Sequence, residues 1–575
     1  MWRYFRSQRQ DSQGVSPLKD GNQLFSDAIS KAKLLSKQFS SVFTVDTPDT
    51  ADTKLEGPSY PPIRELHVSE AGVEKLLRNL NPGKAAGPDE IPTRILKELA
   101  EELTPVITAL IRQSLETGTL PKAWKDAWVT PVFKKGARCE PANYRPVSLT
   151  CIICKLMEHV LCTHIRGHLD EHGILTPSNH GFRKGHSCES QLLLTTHDLL
   201  RHRDKGHQID VGILDFSKAF DTVPHKRLLN KLRIYGIEGK VLNWIEGFLS
   251  DRRQLILCEG AKSEYTAVTS GVPQGTVLGP LLFLLHINDL PSIVDPGTVV
   301  RLFADDALIY RVINSIQDQV TLQRDLKELE KWASTWGMVF NASKCHMMHI
   351  CRSKSQTLTH FYDLCDTVLS AVASEKYLGV HLRDDLSWSD QVEYVASNAA
   401  SKLGFIRRNL KGAPTACKKM AYTSLVRSGM EYASIVWDPD TKCNSDKLER
   451  IQRKAARWAL SDYSPRASLT SMLKELEWEP LQERRQNQRL VYLYKILNSK
   501  VAVPPDEMDL TLSDRPARGK DANQSKLQIV RAETEQFKSS FSLKTTKEWN
   551  ALSQTTVSAD SEAIFKNRLT AAPSP

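Results

Sequence analysis

No stretch of this chain approaches the roughly 20 consecutive apolar residues that a membrane helix needs, so no membrane-spanning segment is expected. The opening Met1-Trp2-Arg3-Tyr4-Phe5-Arg6 runs into polar sequence without the apolar core of a secretory leader. The 11 cysteines form no paired framework. Cys151-Ile152-Ile153-Cys154 has a metal-like spacing but lacks a second pair, and its apolar surroundings read as core packing. Cys345-His346 with Cys351 does not complete a zinc pattern either. These absences exclude a zinc knuckle and a disulfide scaffold. They lead to the expectation of reduced thiols in an intracellular, soluble protein, the nucleus being one compatible compartment. No internal repeat is present, which excludes a solenoid.

What is present is 575 residues, 41% hydrophobic and 25% charged, enough for several domains and a large core. The formal charge of +10 is unevenly spread. Residues 401–460 hold 13 Lys or Arg against 5 Asp or Glu, a local excess of 8. Within them Leu448, Ile451, Ala455 and Trp458 fall on one helical stripe, leaving Arg450, Arg453, Lys454 and Arg457 to solvent. A basic helical surface of this kind suits a phosphate backbone; a merely solvated charged face is the alternative.

The chemistry concentrates elsewhere. Phe303-Ala304-Asp305-Asp306 interrupts two short apolar segments that read as strands within 299–310. Burying unpaired carboxylates is costly, so a cation should face them, and a hard divalent ion such as Mg²⁺ fits. The tetrapeptide alone would serve equally as a polar hairpin turn. A second strand, 209–215, also ends in an acid, Asp215. Two strands delivering acids to one sheet edge would build a two-metal site, with one ion activating a 3′-hydroxyl and the other holding pyrophosphate. Between them lies Gly271-Val272-Pro273-Gln274-Gly275, whose glycines permit close backbone approach and whose Gln274 both donates and accepts. Alone, that stretch reads as an ordinary loop leading into a core helix.

Taken in order, these segments resemble the reverse transcriptases of non-LTR (LINE-type) retrotransposons, the jockey-like group above all. The resemblance extends to Asn81 through Asp89, Trp124 through Lys135, Asn143 through Leu149, His180 through Cys188, Asn341 through Cys345, and Tyr377 through Val380. It covers about residues 80–460. It implies that Asp215, Asp305 and Asp306 are the metal-binding acids, holding two Mg²⁺ ions for which Mn²⁺ would substitute. Phe220, five residues past Asp215, matches an aromatic gate against a ribose 2′-hydroxyl, although Phe is more often core. Gln274 matches the residue beside incoming nucleotide and template. Lys134 and Arg145 match fingers cations near the triphosphate, with a solvated role also open for Lys134. Lys344 matches a residue near the leaving pyrophosphate.

The implied activity is RNA-directed DNA synthesis from deoxynucleoside triphosphates, on an RNA template and a DNA primer, with the RNA–DNA hybrid held by its backbone. The runner-up is an inactive, element-derived RNA-binding protein; RNA-templated RNA synthesis is disfavoured by Phe220. Relatives place a nuclease before the polymerase, and the first 80 residues are too few to hold one.

The expected fold is α+β, a right-hand polymerase with fingers, a palm built on an antiparallel sheet, and a helical thumb. Residues 1–79 read as a polar N-terminal extension, with a short helix at 31–39 and a linker at 46–53. Residues 80–114 read as a helical segment opening the fingers, 115–382 as fingers and palm, 383–470 as a basic helical thumb, and 471–575 as a partly loose C-terminal extension. Residues 92–116 read as largely helical, with Leu96, Leu99, Leu103, Val106, Leu110 and Leu115 on the apolar side; 377–382 reads as one strand; 503–530 reads as loose.

Overall fold

Apolar residues on both faces of one five-stranded sheet organise the molecule. The computed structural model describes residues 14–44, 60–353, 357–513 and 523–571. The sheet runs in the order Ser370–Ala371, His346–Ile350, Gln208–Asp215, Asp306–Ile313, Thr298–Phe303. Its pairings are antiparallel except for the short edge strand Ser370–Ala371. Alternation along each strand sends successive side chains to opposite faces. Ala307 and Ile309 therefore enter one core with Leu214 and Met347. Leu308 and Tyr310 enter a second core with Ile209 and Val211. The first core is completed by helices such as Ile152–Glu171, Gly279–Ile287 and Ile316–Trp336. The second is completed by Cys188–Asp204 and by the helices that follow residue 388.

A second sheet carries Tyr144–Leu149, Asp126–Phe133 and Arg252–Cys258, the last also pairing with Thr266–Val268. The helix Ala28–Ser40 lies on it, burying Leu35 and Phe39 with Val129, Tyr144 and Ile256. Lys31 in that helix is buried against Glu259 at 2.6 Å. The short helix expected at 31–39 is present within Ala28–Ser40 and is packed on this sheet; the expected linker at 46–53 lies outside the described residues.

Three expectations are corrected. The helical stretch after Pro92 is two helices, Thr93–Glu98 and Ala100–Thr117, separated by a non-helical Leu99 at φ −101°, ψ 31°. One residue out of helical geometry rotates the following face, so Ile107, Ile111 and Leu115 are buried, while Leu99 and Val106 are 45% and 67% exposed. The expected strand at 377–382 is a hairpin, Ser374–Tyr377 with Val380–Arg383. Its two turn residues, Leu378 and Gly379, both have positive φ, the geometry that reverses twisted strands most tightly. The region 503–530 is not loose where it is described: Val503, Met508, Leu510 and Leu527 are buried, and Leu512 bridges Leu527.

The C-terminal part is bound into the second core. Asp204, ending its helix, accepts from the Thr534 amide at 2.6 Å and the Glu533 amide at 3.0 Å. Buried Asp438 faces Arg485, Arg489 and Lys544. Among the described residues, no helix is long and apolar enough to cross a membrane.

Candidate active site

The strands Thr298–Phe303 and Asp306–Ile313 are joined by Ala304 and Asp305 alone. So short a reversal needs a positive φ, and Ala304 adopts φ +56°. For a residue with a Cβ this costs about 1 kcal/mol, so the turn must be held from outside. The segment 178–181 does this. The Leu302 amide donates to Ser178 O at 2.8 Å, and the His180 amide donates to Leu302 O at 3.0 Å. Asn179 Oδ1 accepts from the Ala304 amide at 3.2 Å and from the Gly181 amide at 3.0 Å. Gly181 presses on the turn so closely that a Cβ there would stand 2.4 Å from the Ala304 nitrogen.

Register then brings the acids together. Asp306 is paired directly with Asp215. Opposed residues of an antiparallel pair have Cα atoms about 4.5–5.5 Å apart and side chains on the same face. Asp215 is fixed by its backbone: its carbonyl accepts from the Asn341 amide at 2.7 Å, and its amide donates to Cys345 Sγ at 3.4 Å. Lys344 Nζ lies 3.3 Å from Asp215 Oδ2. Asp210, on the other face of the same strand, is already satisfied by His349 Nδ1 at 2.8 Å and the Tyr362 hydroxyl at 2.6 Å. Parity along the strand therefore separates an acid satisfied by neighbours on one face from one that meets Asp306 on the other.

Burial disfavours the charged forms of both the acids and a cation of the site. Burial raises the Asp305 carboxyl above its ordinary range, with the Asp215 charge adding and Lys134 and Arg145 opposing. Solvent reaches the Asp306 side chain, yet the protein walls around it strip away bulk hydration. Burial first, then Asp305 and Asp215, push Asp306 up to about 6. Lys134 is lowered by burial and by Arg145 and Lys344, against the pull of Asp215. Three carboxylates and three cations thus share one field. Lys134 and Arg145 are adjacent on the second sheet, where Val132 pairs with Arg145 and the Lys134 amide donates to Asn143 O at 2.9 Å.

An all-oxygen donor set with raised carboxyls fits a hard divalent cation. Among the described residues no three His, Cys, Asp or Glu side chains are gathered as a finished ligand set, and Asp215 leans on Lys344 instead.

A pH test follows. The Asp306 carboxyl titrates near 6 in the fold against an ordinary 3.8, so its ionised form opposes folding. Its contribution to stability is fully present below about 4 and is lost as pH rises through 6. In chelator, Asp306→Asn should raise the thermal midpoint at pH 8, with the gain shrinking through pH 6 and vanishing near pH 4. Identical midpoints for the two proteins across pH 4–8 would contradict this.

Phe220 and Gln274 meet at the neighbouring wall. After Asp215 the chain turns through Lys218, at φ +50°, into the short helix Ala219–Thr222. The Phe220 ring stacks on Phe283 at 4.2 Å between centroids and meets Phe182 edge-on at 6.0 Å. The Val272 amide donates to Phe220 O at 2.8 Å, and the Ser148 amide donates to Gln274 O at 2.8 Å. The Gly271–Gly275 turn is thus stitched both to the Phe220 helix and to the second sheet. Gln274 Nε2 donates to Asp221 Oδ1 at 3.1 Å. Asp221, Asn179 and Gly181 were not singled out in the sequence. Asn179 acts through its side-chain oxygen and Gly181 through close backbone approach, and neither contact leaves a local pattern in the sequence.

On the helix Lys442–Leu460, Leu448, Ile451, Ala455 and Trp458 are buried, while Arg450, Arg453 and Lys454 are exposed. Arg457 is half-buried and donates to Ser464 O at 2.9 Å. Cys151 and Cys154 are buried.

Residues 132–382 match the family described as reverse transcriptase (RNA-dependent DNA polymerase). The chain is 26% identical over 456 residues to the probable RNA-directed DNA polymerase from transposon BS of Drosophila melanogaster, covering 76% of this chain and 49% of the relative. It is 25% identical over 417 residues to the RNA-directed DNA polymerase from mobile element jockey of the same fly, covering 70% and 45%. Against the probable RNA-directed DNA polymerase from transposon X-element, identity is 27% over 405 residues, covering 69% and 44%. The chain spans about half the length of the curated relatives it matches. Residues 132–382 thus match the reverse transcriptase family, and the chain is similar to proteins named as RNA-directed DNA polymerases of the jockey and BS mobile elements.

Proposed function

We propose that the chain is an RNA-directed DNA polymerase of a retrotransposon, extending a primer 3′ end on an RNA template. The observation that carries this reading is the register Asp306 to Asp215 beside a strapped turn bearing Asp305. The central sheet would be the palm, the second sheet part of the fingers, and the basic helices between residues 389 and 460 the thumb. Asp215, Asp305 and Asp306 would hold two Mg²⁺ ions, whose chemistry is to activate the primer 3′-oxygen and to neutralise the departing pyrophosphate.

The chain's own residues would do the rest. Lys134 and Arg145 place positive charge opposite the acids, where triphosphate oxygens gather charge in the transition state. Lys344, whose Nζ lies 3.3 Å from Asp215 Oδ2, would supply positive charge to the leaving pyrophosphate. Phe220, backed by Phe283, would press on the sugar at C2′ and exclude a hydroxyl. Arg450, Arg453 and Lys454 would contact the hybrid backbone.

The test is primer extension on oligo-dT-primed poly-rA with dTTP and Mg²⁺. Extension by the wild-type chain is the expected result. Hybrid binding without extension would replace the polymerase by an inactive RNA-binding protein. Phe220→Ala should relax discrimination between dTTP and UTP on the order of 10²-fold, the scale on which a packed apolar wall rejects an added hydroxyl. Unchanged selectivity, measured as the ratio of kcat/KM values, would remove Phe220 from that role.

A further inference from the structure

One hydrogen bond beside the nucleotide wall has a fixed polarity. A carboxylate offers only acceptors, so Asp221 Oδ1 forces the NH₂ side of the Gln274 carboxamide towards itself, at 3.1 Å. What remains for a base or sugar edge is the Oε1 acceptor and one N–H. Without Asp221 the carboxamide could turn over and present the opposite pattern.

Asp221 is itself held on several sides. Its main-chain carbonyl accepts from Ser270 Oγ at 2.8 Å. Ser270 Oγ in turn accepts from the Thr44 amide at 2.9 Å. Thr44 Oγ1 donates to Thr222 O at 3.1 Å, and Thr44 O accepts from Thr269 Oγ1 at 3.1 Å. Gly271, at φ +86°, lies so close that a Cβ would stand 2.7 Å from Asp221 O. A small cavity of about 30 Å³ lies alongside, and Phe39, Phe43, Phe220, Asp221 and Gln274 are among its walls. Thr44, Phe39 and Phe43 precede the matched family residues 132–382, so the N-terminal segment braces this corner of the site.

We propose that Asp221 is a positioning residue that orients the Gln274 carboxamide and thereby sets how tightly, and how selectively, the incoming nucleotide binds. This rests on the polymerase reading, because it supposes a nucleotide beside Gln274. It assigns Asp221 no part in holding metal.

The test is a double-mutant cycle read at equilibrium. Binding of dTTP, and of mismatched dCTP, to the complex with dideoxy-terminated oligo-dT on poly-rA is measured for wild type, Asp221→Ala, Gln274→Ala and the double variant. Asp221→Asn serves as the isosteric second variant, since its amide no longer dictates one orientation. Asp221→Ala should weaken dTTP binding roughly tenfold and narrow the dTTP-to-dCTP ratio, the scale of one charge-assisted hydrogen bond. In the Gln274→Ala background the same change should add less than about twofold. In extension assays the penalty of Asp221→Ala should fall on KM, with kcat within about threefold. Independent, multiplying penalties would overturn the proposal, as would a fall in kcat with a raised Mg²⁺ requirement, which would put Asp221 among the metal-holding acids. Failure of the wild type to extend a primer overturns the polymerase reading instead, and the binding cycle reports separately from it.

Discussion

Asp305→Ala should lower primer extension on the order of 10³-fold or more while the protein still folds and still binds an RNA–DNA hybrid. Such a loss is the scale of removing a group that acts directly on developing charge at a metal-assisted centre. The fold should survive because burial and the Asp215 charge raise the Asp305 carboxyl, so its ionised form adds repulsion rather than cohesion. The turn that carries it is held through the Ala304 amide, Leu302 and Gly181, none of which the substitution touches. Hybrid binding should survive because the exposed Arg450, Arg453 and Lys454 lie on a separate helix. Extension and salt-dependent gel shift, measured on one preparation, check both halves. Near-normal extension would remove Asp305 from the reaction, and loss of hybrid binding with intact unfolding behaviour would make its role one of nucleic-acid placement.

The second large effect concerns stability. Asp438 is buried among Arg485, Arg489 and Lys544, with the Arg485 Nε contact at 2.6 Å. Burial alone would raise its carboxyl, but Arg489, Lys544 and Arg485 outweigh that and hold it below the ordinary range. Arg489 also reaches Glu548 at 2.6 Å. The cluster ties the helix Leu481–Leu497 to the helix Phe541–Asn550. Asp438→Ala would leave three cations facing one another with only Glu548 between them. Breaking a buried pair from one side costs about 3–5 kcal/mol, so the thermal midpoint should fall by at least about 5 °C. Limited proteolysis should then open the chain before residue 541. An unchanged midpoint and an unchanged digestion pattern would show that the cluster does not hold the C-terminal part in place.

These two predictions sit at opposite ends of what could be read from the sequence. The strands ending at Asp215 and flanking Asp305 were legible because short apolar runs ending in acids recur in order with neighbouring motifs, although the tetrapeptide alone reads equally as a polar turn. Register was not legible: a one-residue slip would turn Asp215 to the face of Asp210, and the pairing with Asp306 is set by the packing of two cores. The helix phase after Leu99 was not legible, because nothing in the local composition marks Leu99 as the residue that leaves helical geometry. The hairpin at Leu378-Gly379 was written in its glycine but masked by β-prone neighbours. The Asp438 cluster was invisible because it joins residues up to 106 positions apart, and no local pattern signals which charges will meet.

The most direct measurement is the number of Mn²⁺ ions bound, by electron paramagnetic resonance, to the complex with dideoxy-terminated primer, RNA template and matching deoxynucleotide. Two ions are expected for the wild type, and at most one for Asp215→Asn with hybrid binding retained. Two ions on Asp215→Asn, or none on the wild type, would contradict a shared centre between Asp215 and the acids facing it.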